Sequence, residues 1–110
     1  DLRNHRIKFS FHRDFHEVMN RLDILYITRL QEERFSEKAD FRRLVQTYTL
    51  TPDHLKEAKQ NMKILHPLPR TQEIAKSVDA TPHAHYFQQA HNALFVRQAI
   101  LALILGKLVS

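Results

Sequence analysis

Between Arg6 and His12 the chain alternates, with Ile7, Phe9 and Phe11 on one side and Lys8, Ser10 and His12 on the other. That period of two predicts a half-buried strand. The period changes at Asp14. Phe15, Val18, Met19 and Leu22 recur at i, i+3, i+4 and i+7, and Asp14 stands three residues before Glu17 in a capping-box spacing, so one amphipathic helix is expected to run to about Asp23. Ile24-Leu25-Tyr26-Ile27 is short, apolar and partly β-branched, as in a buried strand, and Thr28-Arg29-Leu30-Gln31 turns polar directly beyond it. Glu32 to Tyr48 is mostly charged, with Phe35, Phe41, Leu44 and Val45 as scattered apolar points; a loop and a short helix are expected there. Thr51-Pro52-Asp53 reads as N-cap, first helical position and first-turn acid of a helix to about Asn61. Met62 to Leu65 predicts a second short strand, entering His66-Pro67-Leu68-Pro69-Arg70, where two prolines exclude both helix and central ladder pairing. Thr81-Pro82 is a second N-cap and N1 pair, opening a long final helix that carries Tyr86, Phe87, Leu94, Phe95, Ile100, Leu101 and Leu108 and is apolar on more than one face.

Strands alternating with helices predict a parallel α/β sheet built by crossover connections. In such sheets ligands bind in the crevice beyond the carboxyl ends of the strands. The polar runs after Ile27 and after Leu65 are therefore the places to look for chemistry.

Composition narrows the classes. One glycine, Gly106, stands in 110 residues, so neither a G-x-x-x-x-G-K nor a G-x-G-x-x-G phosphate cradle can be formed. With no cysteine, disulfides and thiolate metal sites are excluded, and a reducing cytoplasm is the expected compartment. Ala93 to Val109 is interrupted by Arg97, Gln98, Gly106 and Lys107 and falls short of a membrane span. The chain opens at Asp1 rather than at a methionine and reads as a segment cut from a longer one. A net charge of +5 favours anionic partners. The basic residues are dispersed, however, and form no stripe interleaved with exposed aromatics, which argues against nucleic acid. The eight histidines are expected to be solvated or core residues: neither His12 with His16 nor His83 with His85 has the spacing of one helix face, so no metal is expected.

At Thr28-Arg29-Leu30-Gln31-Glu32-Glu33-Arg34 and His66-Pro67-Leu68-Pro69-Arg70 the sequence resembles the aspartate carbamoyltransferase family. The resemblance continues through Tyr86-Phe87-Gln88-Gln89-Ala90 and Arg97-Gln98-Ala99. It implies a Rossmann-like aspartate/ornithine carbamoyltransferase fold present as a partial domain, in which residues 1–110 form the C-terminal part of the aspartate-binding domain. The final helix, about 82–108, would pack on a carbamoyl phosphate domain. The implied activity transfers a carbamoyl group from carbamoyl phosphate to L-aspartate in pyrimidine synthesis without cofactor or metal. Arg29 would grip an aspartate carboxylate, a task suited to the parallel donors of a guanidinium, and Gln31 would add amide hydrogen bonds. Glu33, at i+4, would hold Arg29 in its binding rotamer, and Arg34 would pair across domains; Arg70 is counted with them as a supporting residue. The backbone carbonyls of Pro67 and Leu68 would receive hydrogen bonds from the reacting amine, with Leu68-Pro69 cis. Related ornithine-specific enzymes usually carry cysteine where this chain has Pro67, so aspartate is the favoured substrate.

The family's Ser-x-Arg-Thr motif for carbamoyl phosphate is missing from these residues. The isolated chain is therefore expected to be inactive, and to need an N-terminal half and, as in the family, the neighbouring subunit of a homotrimer; some members also bind regulatory chains. The alternative is a carbamoyltransferase-like module kept for binding alone. Without the resemblance, Arg29 to Arg34 would be only a solvated helix start with an ion pair worth ~0.3–0.5 kcal/mol, and His66 to Pro69 only a turn.

Overall fold

Two short apolar runs carry the sheet. β1 (Ile24–Tyr26) and β2 (Lys63–Leu65) pair in parallel, with Ile24 opposite Lys63, Leu25 opposite Ile64 and Tyr26 opposite Leu65. The ladder continues past both ends: the Lys63 N–H donates to the Asp23 carbonyl at 3.0 Å and the Ile27 N–H to the Leu65 carbonyl at 2.9 Å. The computed structural model describes residues 7–31 and 36–107. On its other edge β2 is bridged by Ala84, where the Ile64 N–H donates to the His83 carbonyl at 2.8 Å and the His85 N–H to the Ile64 carbonyl at 3.1 Å. Ile64 is fully buried as a result, at the centre of a core that includes Met19, Leu50, Met62, Ile74, Val78 and Tyr86. α1 (Lys38–Tyr48) buries Val45 from the charged segment. A bridge between Leu50 and Ile74 then ties the chain after α1 to the segment after the proline loop.

Four expectations are corrected. The strand expected at 6–12 is not formed over its described residues 7–12, where Ile7, Phe9 and Phe11 are all exposed. A strand needs an edge to pair with, and no described strand lies beside this segment. The helix expected from Asp14 to Asp23 is instead two single 3₁₀ turns, Phe15–Glu17 and Met19–Arg21. Asp14 does cap, accepting the His16 N–H at 2.9 Å, but Glu17 does not close the capping box because it is drawn to His12 at 2.9 Å. So short a segment gains little from helix propagation, and the two-turn path takes Met19 to full burial.

The helix after Thr51 is likewise a 3₁₀ run, Pro52–Glu57, capped where expected: the Thr51 N–H donates to the His54 ring at 3.1 Å. The final helix, α2 (Tyr86–Ile104), begins after rather than at Thr81-Pro82. The bridge to Ile64 takes up the backbone groups of residues 83 and 85, which a helix starting at Pro82 would have needed. α2 has 19 residues, about 28 Å of helix, yet it buries only Tyr86. The radius of gyration is 17.4 Å, against about 13 Å for a compact chain of this length; α2 projects from the core. No helix among the described residues is long and apolar enough to cross a membrane.

Candidate active site

Parallel register decides where the site can be. Because Tyr26 is aligned with Leu65, the segments Ile27 to Gln31 and His66 to Arg70 leave the sheet at the same carboxyl edge. Arg29 and Leu68 each stand three residues past that aligned pair. Arg29 and Gln31 are exposed, as is Pro67, while Leu68 is half-buried. A guanidinium on one loop thus shares the edge with a rigid loop whose backbone carbonyls can accept hydrogen bonds, an arrangement suited to a ligand with both a carboxylate and an amine. Glu33 and Arg34 lie outside the described residues.

The second loop is held from beneath. The Leu68-Pro69 peptide is cis, as expected, and Leu68 has φ +49°, a left-handed conformation uncommon for a residue with a branched side chain. Its N–H donates to Nδ1 of His66 at 2.8 Å. His66, 1% exposed, places Nε2 at 2.7 Å from Glu73, and its own N–H donates to the Gln89 amide oxygen at 2.9 Å. Gln89 also reaches the Tyr26 hydroxyl at 3.3 Å, so one side chain of α2 touches the carboxyl ends of both strands. Glu73 accepts from the Thr71 hydroxyl at 2.7 Å and from the Thr71 N–H. Burial pushes the Glu73 carboxyl up, but Thr71, backbone N–H groups and His66 together outweigh it and hold the group below its ordinary range.

Arg70, expected as a supporting residue, is fully engaged. Its guanidinium donates to both carboxylate oxygens of Asp79 and to the Tyr86 hydroxyl at 3.1 Å, and lies 5.4 Å from the Tyr86 ring and 5.8 Å from the Phe87 ring. Asp79 also accepts from the Tyr86 hydroxyl. The Arg70 hydrogen bonds hold Asp79 below its ordinary range, and burial, with the Asp79 contact, pushes Tyr86 up to about 12. Arg70 therefore fixes the end of the proline loop to the start of α2.

The two lowered carboxyls set an acid limit. Their ordinary values are 3.8 for Asp79 and 4.5 for Glu73. A carboxyl that is depressed in the folded chain takes up protons more readily when unfolded, so its stabilisation is present above the ordinary value and is lost as pH falls through the folded one. The melting temperature is expected to hold from neutrality to about pH 5 and to fall below about pH 4. Asp79→Asn with Glu73→Gln should flatten that decline, and an unchanged profile in the double variant would assign it elsewhere.

Residue patterning missed Glu73, Asp79, Tyr86 and Gln89 as organisers of the loop. Tyr86 was read as an apolar position of the final helix and Gln89 only within a stretch of resemblance, and nothing periodic links Glu73 to His66 across two prolines. His83 is buried, with Nδ1 at 2.9 Å from the Met62 carbonyl. Among the described residues no three metal-binding side chains converge. A concavity of about 470 Å³ lies beside segment 10–25 and Tyr48 and contains none of the expected site residues.

The profile of the aspartate/ornithine carbamoyltransferases, Asp/Orn binding domain, matches residues 1–104, and the chain belongs to that family. Within it the similarity runs to aspartate carbamoyltransferases. The chain is 50% identical over 101 residues to the catalytic subunit from Vibrio campbellii and 52% identical over 101 residues to that from Photobacterium profundum, covering in each case 92% of this chain and 32% of the relative. The catalytic subunit of M. jannaschii aspartate transcarbamoylase superposes with a TM-score of 0.88 at 32% identity, over 98% of this chain and 36% of that one. The Trypanosoma cruzi enzyme in complex with carbamoyl phosphate and aspartate superposes with a TM-score of 0.76 at 33% identity, over 91% of this chain and 31% of that one. The chain thus spans about a third of the length of the curated relatives it matches.

Proposed function

We propose that this chain supplies the aspartate-binding part of an aspartate carbamoyltransferase, the enzyme that makes N-carbamoyl-L-aspartate and phosphate in pyrimidine biosynthesis. The observation that carries the reading is the shared sheet edge, where the Arg29 and Pro67-Leu68 loops emerge side by side. Arg29 pairs with an aspartate carboxylate and Gln31 adds hydrogen bonds to it. The carbonyls of Pro67 and Leu68 accept from the amine and aim its lone pair at the carbamoyl carbon. The C–N bond forms, the C–O bond to phosphate breaks and the proton shed by the nitrogen passes to the departing phosphate. Rate enhancement comes from holding the two reactants in line and from charge placed in advance. Glu33 as orienter of Arg29, and Arg34 as a link to the other domain, complete the assignment.

Carbamoyl phosphate is bound by the part of the enzyme that corresponds to the other two thirds of the relatives, and the working unit is a cytoplasmic homotrimer, with α2 lying on the carbamoyl phosphate domain. The test is a chimaera in which this chain replaces the matching third of the Vibrio campbellii subunit. Carbamoyl-aspartate should form with saturation by L-aspartate, and ornithine should not substitute. A folded, trimeric chimaera that makes no product where the parent does would favour the reading of this chain as a binding module.

A further inference from the structure

The most completely buried polar group at this edge is one that the proposed reaction does not use. His66 is almost wholly buried, sits directly before the carbonyls of Pro67 and Leu68, and is bonded on both ring nitrogens and on its backbone N–H. Its ring has a determinate hydrogen. Nδ1 accepts the Leu68 N–H at 2.8 Å, so that nitrogen carries none, and the hydrogen lies on Nε2 facing Glu73 at 2.7 Å. Thr71 supplies its N–H and its hydroxyl to the same carboxylate, which keeps Glu73 an acceptor. The Glu73 backbone is itself anchored, its carbonyl accepting the Leu50 N–H at 2.9 Å.

We infer that His66 is a positioning residue for the transfer: oriented by Glu73, it holds the Leu68 N–H, and thereby sets the direction of the Pro67 and Leu68 carbonyls that receive the aspartate amine. The chain of support runs Leu50, Glu73, His66, Leu68. Each link is a hydrogen bond, and only the last borders the open edge. Gln89 adds a second restraint, fixing the His66 backbone to α2 and, through the Tyr26 hydroxyl, to β1. A doubly protonated ring could not accept the Leu68 N–H, so the neutral Nε2–H tautomer is the one that does the holding. This inference rests on the function proposed above.

Two substitutions in the complete enzyme separate positioning from mere stability. His66→Gln keeps a donor for Glu73 but has no acceptor where Nδ1 stands; His66→Asn puts an acceptor near Nδ1 but falls short of Glu73. The Gln variant should keep most of its melting temperature and lose kcat by about 10- to 100-fold, with a smaller change in aspartate KM, because displacement of groups that act on the reacting atoms is felt in turnover. The Asn variant should melt lower yet retain the higher kcat of the two. Nitrogen chemical shifts of His66 in the unmutated protein should show Nε2 protonated and Nδ1 bare. A Gln variant with unaltered kcat, an Asn variant slower than the Gln variant, or the opposite tautomer would each overturn the assignment. If the unmutated complete enzyme forms no carbamoyl-aspartate, the proposed function falls first and this role with it; an active enzyme with an indifferent Gln variant sinks this role alone.

Discussion

Arg29→Ala in the complete enzyme is expected to raise the aspartate KM steeply and to lower kcat as well, for a combined loss of roughly 2–4 kcal/mol, about 30- to 700-fold in kcat/KM. The size follows from the bond that is lost. Arg29 stands on an exposed loop three residues beyond the aligned ends of β1 and β2, and the contact proposed for its guanidinium is a pair of parallel charge-assisted hydrogen bonds to the aspartate carboxylate. Both parameters should move, because a carboxylate held in one orientation also sets the approach of the amine. Arg29→Lys should recover little, since an ammonium supplies a point charge in place of the planar pair. Gln31→Ala should cost less, as a neutral hydrogen bond. Steady-state kinetics with L-aspartate as the varied substrate checks all three, and unchanged aspartate kinetics in Arg29→Ala would remove that residue from the site.

The second large effect concerns the chain by itself. Leu94, Phe95, Val96, Leu101, Leu103 and Ile104 on α2 are all more than half exposed, and a helix that is apolar on more than one face is one built to be covered. A groove of about 430 Å³ along its first turns, lined by Leu65, His85, Gln88, Gln89, Asn92, Ala93 and Val96, adds a polar clue. Nδ1 of His85 is buried with no hydrogen-bond partner among the described residues. Fully burying one Leu or Phe side chain is worth about 1.5–3 kcal/mol, so several together are enough to drive association. The isolated 110-residue chain should therefore associate with rising concentration in sedimentation, and form no carbamoyl-aspartate. Mixing it with a separately made N-terminal half should replace that open-ended association with a defined trimer of paired halves and restore product formation at least in part. An isolated chain that stays monomeric and carbamoylates aspartate unaided would refute the fragment reading.

The elements differ in how far they could be read in advance. β1 and β2 were legible because a short apolar-rich run bounded by polar residues states a strand locally, although the burial expected of β1 is not met: Ile24 and Tyr26 are more than half exposed. The proline loop was legible for a similar local reason: Pro67 and Pro69 exclude helix and ladder wherever they stand. Segment 7–12 and the turns from Phe15 to Arg21 were misread because their patterns state a preference that only a partner or a core can satisfy. The alternating residues met no described strand, and Glu17 found His12 in place of its own helix. Thr81-Pro82 likewise carries a sound start signal, overridden when the next residues bridged to Ile64.

The site divides in the same way. Arg29, Gln31, Pro67 and Leu68 could be proposed as candidates from residue type, order and family resemblance, because recognition of a ligand calls for particular chemistry. The groups that hold them could not. Glu73, Asp79, Tyr86 and Gln89 have many possible partners along the chain, and the ones they take, His66 for Glu73 and Gln89, Arg70 for Asp79 and Tyr86, are chosen by the crossover that lays β2 beside β1 and brings α2 back to its end. By itself the sequence determined which side chains can recognise a carboxylate and where the backbone cannot be regular. Tertiary structure alone decided which buried donors and acceptors meet, since a hydrogen bond spans about 3 Å in space and any distance along the chain.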